Sequence, residues 1–405
     1  MQIRVILVVL LSVRKSSLIL SALAIVGVVW GCQTTSSLHV VDEKLVDSEA
    51  ARNADLPKLD KRWLVAENAE EHYNNSCPSG TPYVSPEDIS LNAQPVELLN
   101  VNSTEASPVD FLKSATLSGV EYVAGYHLTS DNPRFGGISG LETLENGSLL
   151  SVTDQGDFLW IGMDEFDHLL PVNAQMSVMR DAAGNPYDSK RAADSEGLAV
   201  SDGLALVSFE QKHRVEAFDL TTCGGNARAS KIFDLVLGED GVEKLGGNQG
   251  MEALALTRDG GLILGIEALK DGASQISISP NQSFVDFEHK LSAGGGKKMT
   301  GSDYLPLNES EGLLYSLHRH YSPLTGTHIR LLQTSVSLGE NDKYSLGEPK
   351  ELLYLKPPGI SDNFEGIAVR REENGIIRLF IVSDDNFSPK QRSLLLIFNV
   401  LPKAY

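Results

Sequence analysis

The chain has 405 residues, 34 basic against 54 acidic side chains and a net charge of −20. Phosphate backbones need a basic surface, so nucleic acid is excluded as a partner, while clustered carboxylates favour divalent cations. Three cysteines, with no Cys/His spacing of the zinc type, exclude a structural zinc site.

From Ser16 to Trp30 runs an apolar stretch preceded by Arg14-Lys15 and followed by Gly31-Cys32. This is the pattern of a bacterial export signal or membrane anchor over residues 1–31. Val29-Trp30-Gly31-Cys32 is similar to a lipobox, whose cysteine is lipidated, although tryptophan is atypical there. Membrane attachment is therefore expected through lipidated Cys32 or an N-terminal anchor, on the periplasmic face of the outer membrane or otherwise in the periplasm. Removing the signal takes Arg4, Arg14 and Lys15 with it and moves the charge to −23.

Residues 32–95 are rich in Asn, Ser, Glu and Pro and read as a lipoprotein tether and polar leader that adds one strand to the fold. A Cys77–Cys223 disulfide is permitted in an oxidising compartment, and the sequence leaves it open.

Residues 96–405 carry a recurring hairpin with acids near both ends. It runs from Ser139-Gly140-Leu141 to Asp154, from Glu196-Gly197-Leu198 to Glu210, from Glu252-Ala253 to Glu267 and from Glu365-Gly366-Ile367 to Asp384. Asn146-Gly147, Asp202-Gly203, Asp259-Gly260 and Asn374-Gly375 supply the hairpin turns. Successive copies lie 57, 56 and 113 residues apart, and the doubled last interval calls for a copy near residue 308. Asp303 to Leu307, a turn at Asn308 to Gly312 and Leu313 to Arg319 fill that place, with Asp303 as the leading acid and Arg319 trailing.

About 56 residues hold four strands with generous loops, which predicts an all-β propeller of four-stranded antiparallel blades. Five blades are visible from about residue 136; a sixth is expected from Leu98 to His127, pairing with Leu394 to Val400 to close the ring. Six blades is thus the expectation.

Propeller geometry points both ends of each hairpin at one mouth of the central channel. Glu196, Glu252, Asp303 and Glu365 are the expected ligands of a divalent metal, Ca²⁺ before Mg²⁺, because hard oxygen donors in that number suit these ions. Asp154 or Glu210 would take a proton from water, and His318 or Arg319 would stabilise oxyanion charge. His213, Arg214, His320 and His127 are further basic groups near the same rim. The opposing reading is that each acid caps its own turn through backbone N–H groups. Gly294-Gly295-Gly296-Lys297-Lys298 lacks the phosphate-loop pattern and is read as a flexible loop in an insertion over Lys270 to Thr300.

Phe135 to Leu141, Asp194 to Ala199, Gly250 to Ala255, Asn363 to Ala368, and Leu317-His318-Arg319 with Gly326 to Arg330 resemble, in order, the phytase-like family named for an esterase-like activity of phytase. The resemblance spans about residues 120–400 and implies a β-propeller acting on a small ester or phosphoester. Propeller phytases use calcium to hold phosphate; this chain has the acids without a dense Lys/Arg set, which argues against myo-inositol hexakisphosphate. Two functions are compatible with these readings. One is a metal-dependent hydrolase of an ester, lactone or phosphoester outside the cytoplasmic membrane. The other is a non-catalytic envelope lipoprotein that binds a protein, a glycan or a divalent cation.

Overall fold

The computed structural model describes residues 66–98, 115–201, 203–234, 249–258, 260–279, 287–339 and 343–402. The expected export segment, Cys32, most of the leader and the turn residues Asp202 and Asp259 lie outside the described residues. No helix among the described residues is long and apolar enough to cross a membrane.

Five sheets form the fold, each contributing one inner strand to a ring: Ile138–Thr143, Ser195–Ser201, Met251–Leu256, Lys298–Pro306 and Asn363–Arg371. Each inner strand packs on the next, and Asn363–Arg371 packs back on Ile138–Thr143. We number the blades one to five in that order. The approach of neighbouring inner strands is close. A Cβ on Gly197 would lie 2.7 Å from the Leu254 Cβ, and one on Gly301 would land inside the Glu365 carbonyl oxygen. Only glycine fits where one blade's backbone reaches the next.

The six-blade expectation is corrected to five. Val120–Thr129, expected to open a sixth blade, is instead the fourth strand of blade five, where it pairs antiparallel with Leu394–Val400 from Val120↔Val400 to His127↔Leu394. An alternating apolar strand satisfies its ladder equally as the start of a new sheet or as a strand lent to an existing one. Here lending it closes the ring and covers the edge of Leu394–Val400. Two short strands from the leader extend the sheets further: Glu87–Ile89 joins blade one along Pro171–Val178, and Asn92–Pro95 joins blade five along Val120–Thr129. Ala115–Leu117 extends blade four.

The cores lie between blades. One holds Leu149, Leu159 and Ile161 of blade one against Phe380, Val382 and Ile397 of blade five. Another packs Ala199, Leu204 and Leu206 of blade two on Leu254 and Leu264 of blade three. Strand alternation puts these side chains on the faces that neighbouring blades share.

The leader is bound to the propeller from Ala66 onward. The helix Ala66–Ser76 sits on blade two, with His72 Nδ1 2.8 Å from Ser230 Oγ and Ser76 Oγ accepting from Asp219 N at 2.7 Å. Cys77 and Cys223 form a disulfide with their Cα atoms 5.7 Å apart. The staple left open by the sequence is therefore made.

Candidate functional site

Each inner strand breaks register with its partner at the same end of the channel. The residues skipped by the ladder are Ser139-Gly140, Glu196-Gly197, Glu252, Thr300 and Glu365. A bulge re-aims the side chain it carries, and four of these positions are turned toward one opening, whereas Thr300 donates its hydroxyl to Phe364 O at 2.9 Å. Three carry glutamate, one serine and one threonine. Ser139, Glu196, Glu252 and Glu365 line a cavity of about 1600 Å³, together with Asp154, Asp194, Glu210, Glu267, Arg319 and Asp384.

The return strands bring the second set of acids to this mouth, as their hairpins require. Asp154 follows Leu149–Thr153, Glu210 follows Leu204–Phe209, and Asp384 ends Ile377–Asp384. Ser139 Oγ donates to Glu196 Oε2 at 2.9 Å and lies 3.5 Å from Glu365 Oε2, linking blades one, two and five. Glu365 Oε1 accepts from Arg319 Nη1 at 2.8 Å and from Asn363 Nδ2 at 2.9 Å. Arg319 Nη2 reaches Glu267 Oε1 at 3.5 Å. Lys190 bridges Asp154 and Asp194 at 2.6 and 3.0 Å.

Burial, followed by neighbouring carboxylates, pushes Glu196 and Glu252 well above the ordinary carboxyl range. Glu210 and Glu365 are raised, again mainly by burial. Asp384 is pushed up to about 8 by burial and by Glu365. Asp154 is raised by burial against the pull of Lys190, and its buried Oδ1 has no hydrogen-bond partner. Arg319 is held above its usual range, because Glu365, Glu252 and Glu267 outweigh its own burial. So many carboxyls driven toward protonation describe a site short of positive charge.

Asp194, Glu196 and Glu210 each offer an oxygen, and these oxygens all lie within 4.8 Å of one another. Donors of oxygen alone at such separations, with the orphaned Asp154 Oδ1 on the same cavity, fit a hard divalent cation. The private-cap reading fits part of the set: Glu210 Oε1 accepts from Gly250 N at 3.1 Å and Asp384 Oδ1 from Asn386 N at 2.6 Å.

Of the residues expected at the mouth, Glu196, Glu252, Glu365, Asp154, Glu210 and Arg319 are brought together there. Asp303 and His318 are not. Asp303 stands three residues beyond Thr300 on the same inner strand, where its carboxyl accepts from the backbone N–H groups of Tyr304 and Val369, both at 2.6 Å. Burial raises it to about 7, and its charge repels that of Glu142, itself raised well above the ordinary range by burial and by Asp303. His318 is adjacent to Arg319 on one strand and so points to the opposite face. It is fully buried with Nε2 3.0 Å from Ser316 Oγ, and burial, then Lys297 and Arg330, pull it down to about 3. Arg214 is engaged elsewhere, with Nε 3.0 Å from Glu216 and its guanidinium over the Phe209 ring. His320 does line the cavity.

Sequence reasoning missed Asp194 as a site residue and Thr300 as the bulge position of blade four. Asp194 stands in the quoted Asp194-Ser195-Glu196 run, so its signal was present. Thr300 had none, because the interval from Glu252 shortens to 48 residues and the side chain is not an acid. Lys190, on the short helix Lys190–Ala193, likewise left no periodic trace.

No curated protein matches the chain. Among solved structures it is similar to the pyranose dehydrogenase PQQ domain of Coprinopsis cinerea (10% identity, 79% of this chain and 99% of that one, TM-score 0.35). It is also similar to a calcium structure of the Trichoderma reesei carbohydrate-active enzyme family AA12 (9% identity, 79% and 99%, TM-score 0.34). The β-propeller domain of Myceliophthora thermophila Cps50 (Swd1) gives 11% identity over 78% of this chain and 100% of that one, with a TM-score of 0.31. The family described as phytase-like, esterase-like activity of phytase, matches residues 133–387, which run from Pro133, just ahead of the glycine pair before Ser139, to the loop after Asp384 and so contain the acidic mouth. The chain belongs to this phytase-like family.

Proposed function

We propose that the protein is a metal-dependent hydrolase of a small ester, lactone or phosphoester, and that its chemistry takes place at the five-bladed mouth. The observation that carries this reading is the meeting of Asp194, Glu196 and Glu210 within 4.8 Å beside Arg319 in an open cavity. Asp194, Glu196 and Glu210 would hold the cation, with Glu252 and Glu365 adding negative charge around it. A bound divalent ion would polarise the carbonyl or phosphoryl oxygen of the substrate. Ca²⁺ is favoured over Mg²⁺, since a cage made mainly of protein carboxylates suits calcium, whereas magnesium keeps several waters.

Asp154 is the proton acceptor in this scheme. Its raised pKa moves it toward the range in which a general base works, and Lys190 fixes its other oxygen. Arg319, rigidly held by Glu365, is placed to meet oxyanion charge as it develops. The protein would work outside the cytoplasmic membrane, attached through a lipidated Cys32. The Cys77–Cys223 disulfide supports an oxidising compartment.

The test is metal analysis of the purified protein, followed by p-nitrophenyl ester and phosphate assays with and without chelator. Bound metal, chelator-sensitive turnover and a loss of about 10 to 100-fold in Glu252→Gln are expected. An inert propeller that takes up no divalent ion would overturn the proposal, and one that binds metal without turnover would assign it a binding role.

A further inference from the structure

A second cavity of about 420 Å³ lies where the loop after Pro171–Val178 of blade one meets the loop before Ser230–Asp234 of blade two. Its walls are Pro78 to Pro82, Arg180, Ala183, Gly184, Asn226 and Arg228. No carboxylate among the described residues lines it, although the chain as a whole carries −20. Its two cations are brought together by the backbone: a parallel bridge sets Arg180 opposite Arg228, and Ala229 N donates to Arg180 O at 2.8 Å. Like charges set opposite each other in a β-ladder repel, so this pairing lacks a counter-charge.

The described residues do not supply one. Arg180 donates through Nε to Gly225 O at 2.9 Å and through Nη1 to Gly184 O at 3.1 Å, both neutral carbonyls. Neither guanidinium is paired with a carboxylate among the described residues. The nearest acid in sequence, Asp181, spends Oδ1 on the backbone N–H groups of Ala183 and Asn185 at 2.9 and 2.8 Å. Gly184, at φ +86°, leaves the space against which the Arg228 side chain lies, since a Cβ there would come 3.1 Å from Arg228 Nε.

The walls are also fixed in advance. The Cys77–Cys223 disulfide joins the 78–82 segment to the loop that carries Asn226 and Arg228. Arg228 N donates to Ser76 O at 2.9 Å, Gly225 N to Val84 O at 2.7 Å and Asn226 Nδ2 to Pro82 O at 3.0 Å. A pocket that holds two like charges without relaxing them apart is preorganised for an anion.

The geometry points to a binding site for a phosphate dianion in this cleft, clamped between Arg180 and Arg228. Two guanidiniums match a dianion in charge and present the forked donors that phosphate oxygens accept. The volume falls within the range of small-molecule pockets, so the phosphate can carry an organic substituent as a monoester. This site is separate from the acidic mouth and does not depend on the function proposed for it.

Calorimetric titration with inorganic phosphate and with glycerol phosphate, against chloride at matched ionic strength, tests the proposal. Saturable binding is expected for both, tighter for the monoester if the substituent is also seated and equal if only the phosphate group is read. Arg228→Gln removes a guanidinium that anchors no backbone carbonyl among the described residues, and it should weaken binding by about tenfold or more, the loss of a charge-assisted contact. Glu252→Gln, which alters only the mouth, should leave it unchanged. Phosphate binding that survives Arg228→Gln undiminished, or no phosphate binding beyond the chloride control in a folded protein, overturns the assignment.

Discussion

Replacing Arg319 with methionine removes the guanidinium that touches Glu365 at 2.8 Å and Glu267 at 3.5 Å, and keeps most of the side-chain volume. All three side chains are largely enclosed, with exposures of 23%, 10% and 12%. Breaking a buried pair by removing one partner costs about 3–5 kcal/mol. Near 2 °C per kcal/mol for a domain of this size, the melting temperature should fall by about 6–10 °C. The penalty depends on the carboxylates being ionised. Glu365 is already raised by burial and loses its principal counter-charge in the variant, so protonation relieves the loss more readily and the cost should be smaller at pH 5 than at pH 8. A divalent cation should replace the missing charge: at 100 times its dissociation constant, a ligand of the folded state adds about 2.7 kcal/mol. Thermal unfolding followed by circular dichroism, at both pH values and with and without Ca²⁺, gives all four quantities. A variant as stable as the parent at pH 8, or one that Ca²⁺ stabilises no more than the parent, would refute the idea that arginine and cation share the same acids.

Asp384, pushed up to about 8, holds its proton longer in the folded than in the unfolded chain. The folded state is therefore favoured at low pH, and the metal-free protein should lose stability as pH rises from about 4 to 8. Saturating divalent cation should flatten that slope, and Asp384→Asn should reduce it, as read from urea midpoints across the range. Gly301→Ala places a methyl group on the Glu365 carbonyl oxygen, and the clash is with backbone that cannot rotate away. Overpacking of this kind costs about 1–3 kcal/mol, so a Gly301→Ala protein with an unchanged midpoint would mean that blades four and five do not meet as described. The Cys77–Cys223 bridge spans 146 residues, for which chain entropy gives a stabilisation of about 5 kcal/mol as an upper figure. The double alanine variant should lose about 2–5 kcal/mol, and reducing agent should destabilise the parent while leaving the variant unmoved.

The mouth was legible wherever an acid recurred at a fixed interval. Glu196, Glu252 and Glu365 declared themselves because each precedes a small residue, Gly197, Ala253 or Gly366, and then an apolar run. Blade four broke the rule, since its interval is 48 residues and its bulge carries Thr300. An acid sought near residue 308 therefore settled on Asp303, three positions too deep. His318 looked equivalent to Arg319 along the chain, yet alternation on a strand sends neighbours to opposite faces. Blade count was illegible for another reason. Val120–Thr129 has the pattern of any strand, and whether it founds a sheet or completes one depends on a partner at the far end of the chain.

That partner arrives late. Ala124 pairs with Ile397, 273 positions further on, so Val120–Thr129 has no permanent neighbour on that side until Leu394–Val400 has been made. Contacts so distant in sequence form slowly, and an unlatched ring leaves open edges that invite pairing with other chains. A nonsense mutation just before Leu394 would thus release both ends of the circle, and aggregation rather than a shortened but working protein is its natural outcome.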